Sequence, residues 1–92
     1  MAISLDPAKH ARTLKERGID FADADAVFEG PTLTEIDDRR DCGEQRFQTF
    51  GFLNGRMVMI VWTQRNGDRH VISMRKCNDR EKKKVGQQLR QN

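Results

Sequence analysis

Ninety-two residues, 36% of them hydrophobic and 34% charged, provide for a single domain over residues 1–92 with one modest core: a layer of helices against a sheet, not two cores. No apolar stretch approaches the length of a membrane span and no charged-then-apolar leader opens the chain, so a soluble, cytoplasmic protein with no membrane partner is expected. The net charge of +3 hides an asymmetry, because residues 1–64 carry 8 Lys/Arg against 11 Asp/Glu and residues 65–92 carry 9 against 3.

In chain order, Ile3-Ser4-Leu5 is a short alternating strand or an extended lead-in. Asp6-Pro7 is a helix start, a capping carboxylate followed by a residue whose missing N–H costs nothing at the first helical position. Ala8, Ala11 and Leu14 recur on one face of that helix and Gly18 ends it. Asp20 caps a second helix with Phe21, Ala24, Val27 and Phe28 as its apolar stripe, closed by Gly30-Pro31. Residues 32 to 45 are polar and without period, a surface loop with room for a short strand over Thr32–Ile36. Phe47, Thr49, Phe50, Phe52 and Leu53 form a strand, and Asn54-Gly55 is a strong hairpin signal. Met57 to Thr63 is apolar nearly throughout, as a central strand covered on both faces should be. Arg65-Asn66-Gly67-Asp68 makes a second turn and His70 to Met74 a third strand. Asn78 with Glu81 is a capping-box pattern opening a last helix. The fold expected is α+β: an N-terminal helical hairpin packed on one face of a small antiparallel β-sheet, followed by a C-terminal helix.

The chemistry is concentrated where the last strand ends in Arg75-Lys76 and passes into a basic helix. Such a surface suits a polyanion or an acidic partner, although a solvated, charged helix has the same composition. Cys42 and Cys77 are too few and too far apart for a metal quartet or a redox pair, so two free thiols are expected. Two histidines are too few for most metal sites, and no nucleophile motif or phosphate-cradling glycine loop is present; no cofactor and no metal are expected. RNA can be cut without them, since its own 2′-hydroxyl attacks the adjacent phosphate and the protein orients the chain and stabilises charge on the non-bridging oxygens. Arg46, Arg69, His70, Arg75 and Lys76 converge if the strands pair in the order sketched, with Glu44 or Glu81 as a base or as the partner of an arginine. Lys9, Arg12 and Lys82 add cations for the RNA backbone. Lys82-Lys83-Lys84 cannot all point one way on a helix. Trp62 and the five phenylalanines lie in apolar runs and read as core rather than as a base-stacking platform.

These residues also resemble the BrnT family, toxins of bacterial type II toxin–antitoxin pairs with a RelE-like ribonuclease fold. The resemblance covers roughly positions 3 to 84 and rests on five pieces in order: Leu5-Asp6-Pro7-Ala8-Lys9; Gly18-Ile19-Asp20-Phe21 with Ala24 and Val27-Phe28; Gly43-Glu44-Gln45-Arg46-Phe47; Gly51-Phe52-Leu53-Asn54-Gly55-Arg56; and Val71-Ile72-Ser73-Met74-Arg75-Lys76. It implies translation arrest by RNA cleavage, which the cations clustered without metal ligands make metal-independent, and neutralisation by a small cognate antitoxin of ribbon-helix-helix type. It also implies that operator DNA is bound only through that antitoxin. The family's basic and acidic motif residues fall here on Lys9, Glu44, Arg46, Arg75, Lys76 and Glu81. The chain departs from the family pattern at Thr13, at Glu16-Arg17-Gly18 and at Cys42, where the family often has Asn, Lys-His-Gly and Tyr. The competing reading is a non-catalytic basic module for nucleic acid or protein.

Overall fold

The computed structural model describes residues 3–37 and 45–90. Strand β1 (Ile3–Leu5) leads into helix α1 (Pro7–Arg17), and a single 3₁₀ turn, Phe21–Asp23, runs on into the six-residue helix α2 (Ala24–Glu29). Strands β2 (Leu33–Asp37), β3 (Arg46–Leu53), β4 (Arg56–Arg65) and β5 (Asp68–Lys76) follow, and helix α3 (Asp79–Arg90) closes the order. All five strands join one sheet in the order β1-β5-β4-β3-β2. β1 runs parallel to β5, and every other pairing is antiparallel.

Local chemistry accounts for the elements. The Asp6 carboxylate accepts from the Ala8 and Lys9 amides and caps α1, with Pro7 inside the first turn and Gly18 left-handed at its end. Both hairpin turns place Asn then Gly at positive φ, Asn54-Gly55 and Asn66-Gly67, the backbone that matches the twist of the flanking strands. At the head of α3 the Glu81 amide donates to Asn78 Oδ1 at 2.8 Å and the Asn78 amide to Glu81 Oε1 at 3.0 Å, a reciprocal capping box.

The expected architecture needs correcting. The N-terminal helices do not form a hairpin packed on a small antiparallel sheet; the fold is a five-stranded mixed sheet carrying three short helices. Leu33–Asp37 is a paired strand, and Ile3–Leu5 finds its partner in β5, far along the chain. The α1 stripe does not become core: α1 buries no residue, and Leu14 is 46% exposed. The expected apolar stripe of Phe21, Ala24 and Val27 is buried. The single core layer expected is corrected as well, because hydrophobic clusters lie on both faces of the sheet. One joins Ile19, Phe21, Ala24 and Val27 to Val58, Ile60, Trp62, Val71 and Met74, and the other joins Phe50, Met57 and Met59 to Cys77 and Val85 of the α3 side. β4 makes this possible by alternating Met57 and Met59 one way with Val58 and Ile60 the other. No helix among the described residues is long and apolar enough to cross a membrane.

Candidate active site

Cross-strand partners in a sheet share a face, so the register lays out rows of side chains on the α3 side. The first row is Leu33–Phe50–Met59–Arg75 and the second Glu35–Gln48–Val61–Ser73. A bulge in the β4–β5 ladder between Val61 and Trp62 then resets the alternation, and the third row runs through all five strands: Asp37–Arg46–Thr63–His70–Ser4. The α3-side cluster sits against the first row. The third row lies two rows away, about 13 Å along the strands.

The third row is polar throughout and held in detail. Ser4 Oγ lies 2.9 Å from His70 Nδ1. The buried Thr63 hydroxyl donates to the Gln45 carbonyl at 2.6 Å, which ties the start of β3 to β4. Arg46 buries its Nε with no acceptor for it. A cleft of about 190 Å³ opens where this row meets the start of α1, lined by Asp6, Lys9, Arg46, Arg65 and His70. Arg46 and His70 are two strand spacings apart, about 10 Å, room for a phosphodiester between them. Lys9 reaches the same cleft because the Asp6 cap starts α1 immediately after β1.

Three of the residues singled out from the sequence, Arg46, His70 and Lys9, are therefore brought together, and the others are dispersed. Arg75 and Lys76 are neighbours on one strand and so point to opposite faces. Arg75 pairs with Met59 on the α3 side, where its guanidinium donates to both Glu81 carboxylate oxygens at 2.8 and 2.7 Å. That pair holds the Glu81 carboxyl down at about 2 and raises the arginine. Lys76 pairs with Val58 on the other face and lines a separate cleft with Gly18, Ile19 and Arg56. Arg69 stacks its guanidinium on the Phe28 ring, 4.2 Å from the centroid, and near Trp62, 5.4 Å away; it serves the core beneath α2. Arg12 lines a cleft with Lys9, Arg17 and Ser73, next along α1. Lys82 is exposed, 3.9 Å from Asp79. Glu44 and Cys42 lie outside the described residues. Cys77 is a free, buried thiol pushed up to about 11 by that burial. Among the described residues no group of three His, Cys, Asp or Glu side chains is placed to hold a metal ion.

Sequence reasoning passed over Ser4, Thr63 and Arg65. Arg65 carried a signal, as a cation beside an Asn-Gly turn. Ser4 carried none, because only a parallel pairing 66 residues distant gives it a role.

The family model for the ribonuclease toxin, BrnT, of type II toxin–antitoxin systems matches residues 5–81. The chain belongs to the BrnT family. No curated protein matches it. Membership makes it a ribonuclease toxin with an antitoxin as partner and RNA as substrate. The matched span of this BrnT chain takes in Lys9, Arg46 and His70, and stops short of most of α3.

Proposed function

We propose that this BrnT-family chain cleaves RNA by internal transesterification, without a metal ion, at the cleft between the third cross-strand row and the start of α1. The observation that carries the reading is the meeting of Lys9, Arg46 and His70 around one opening of phosphate size. The 2′-hydroxyl proton passes to His70 Nε2, since Nδ1 is engaged by Ser4. The 2′-oxygen attacks phosphorus, and Arg46 stabilises the charge that grows on the non-bridging oxygens. As the phosphorus–5′-oxygen bond breaks, the Lys9 ammonium gives the leaving oxygen its proton. The products are a 2′,3′-cyclic phosphate and a 5′-hydroxyl.

Cleavage of messenger RNA in the cytoplasm arrests translation. A small cognate antitoxin of ribbon-helix-helix type neutralises the toxin, and operator DNA is reached only through it; these follow from kinship rather than from the cleft. Arg75 and Lys76 take no part as reacting groups in this scheme: Arg75 fixes α3 beside the open face, and Lys76 contributes a cation on the other. Glu44, two residues before Arg46, is a second candidate for the base.

The test is end-labelled RNA incubated with purified protein in excess EDTA. His70→Ala and Arg46→Ala should each lower the turnover rate by about a hundredfold or more. Full activity in His70→Ala with loss in Glu44→Gln would transfer the base to Glu44. RNA binding with no products at all would leave the cleft a phosphate-binding surface and end the catalytic reading.

A further inference from the structure

We infer that Ser4 is a positioning residue, which holds the His70 imidazole so that Nε2 can both take up and give back a proton at the cleft. The inference rests on the ribonuclease reading for its purpose, but the contact stands on geometry alone. β1 is three residues long and parallel to β5. Ile3 and Leu5 pack on the α2-side cluster, so Ser4, between them, points to the other face. There its register partner is His70, with Oγ 2.9 Å from Nδ1.

The chemistry of the partner decides what it does. A carboxylate at Nδ1 accepts only; it would fix the proton there and favour the imidazolium. A serine hydroxyl donates or accepts by turning about one bond. It accepts from Nδ1–H when Nε2 is bare and ready to receive the 2′-hydroxyl proton. It goes on accepting when both nitrogens are protonated, and it donates to Nδ1 when the proton rests on Nε2. The ring is thus held in place in every protonation state, and the balance between its two neutral tautomers is set by how strongly the hydroxyl donates to Nδ1 against how strongly it accepts from it. That suits a histidine that must be reset after each cut.

Two variants and two readouts test this. Ser4→Ala removes the hydroxyl, whereas Ser4→Thr keeps it on a residue that strands favour. Nitrogen-15 spectra of His70 should show the ratio of its two neutral tautomers changed in Ser4→Ala and retained in Ser4→Thr. The turnover rate should fall by about tenfold in Ser4→Ala with KM unchanged, with the pH–rate profile displaced along the pH axis, and Ser4→Thr should restore both. An unchanged tautomer ratio in a folded Ser4→Ala variant would overturn the inference, as would a loss of turnover that Ser4→Thr fails to restore. The spectra need no catalysis: a wild-type chain that cuts no RNA would end the ribonuclease reading while the tautomer ratio still decided the role of Ser4.

Discussion

At the scale of single residues, Arg75 illustrates how a cation can be conspicuous in sequence yet be committed to structure. Its two hydrogen bonds to Glu81 use the forked geometry that matches guanidinium to carboxylate, the same geometry that would have gripped a phosphate. Glu81 in turn closes the capping box, so one carboxylate joins β5, the turn and α3. Because the Arg75 side chain is 37% exposed, solvent screens the pair, and Glu81→Gln should cost about 1 kcal/mol in urea unfolding at neutral pH. The sign of the pH dependence follows from the depressed carboxyl. Its stabilisation is fully present above the ordinary value of 4.5 and is lost as pH falls from there towards about 2. Wild type should therefore lose more stability than Glu81→Gln between pH 5 and pH 2.5, measured as urea midpoints. The sequence showed the capping box and offered Glu81 as an arginine's partner, but not which arginine, because Arg75 approaches Glu81 only through the turn that brings α3 back beside β5.

At the scale of elements, what was legible was what is local. Both Asn-Gly turns, the Asp6 cap, the Phe21–Val27 stripe and the two-faced apolar run of β4 depend on neighbours within a few residues, and each formed as the pattern implied. What was illegible depends on distant partners. The parallel docking of β1 and the placement of α3 opposite α2 leave no period in the sequence. α2 and β3 approach closely at Gly51. A Cβ added at Gly51 would stand 2.6 Å from Val27 Cγ1 and 3.2 Å from Thr32 Cγ2, closer than van der Waals packing allows. Gly51→Ala should therefore lower stability by about 1–3 kcal/mol in thermal unfolding, through crowding alone, since its backbone lies outside the positive-φ region.

At the scale of the whole molecule, a single sheet carries both clusters and joins them mechanically. β4 contributes to each face, so neither cluster can be lost while the other stays intact. Ile60, fully buried, should cost about 2–5 kcal/mol when replaced by alanine. Far-ultraviolet dichroism and Trp62 fluorescence should still report one coincident transition. The distribution of charge makes a prediction of its own. Lys9, Arg12 and Arg46 border adjoining clefts along α1, and neutralising about three phosphates gives a log Kd against log salt slope of magnitude about 2 for single-stranded RNA. Lys9→Ala should reduce that slope by about 0.7, measured by fluorescence anisotropy in a His70→Ala background that prevents turnover. The electrostatic side of the site was visible in composition, whereas its focus on the start of α1 was not, because the most basic stretch of the sequence, Lys82 to Lys84, lies on another element.

The parallel pairing of β1 with β5 also sets a clock. Ser4 and its partner His70 lie 66 positions apart in the chain. The third row therefore cannot form before β5 is in place, and closing so long a loop is among the slower steps of folding. The cleft proposed for RNA therefore cannot close ahead of the sheet: whatever it does waits on a strand pairing made across most of the described chain.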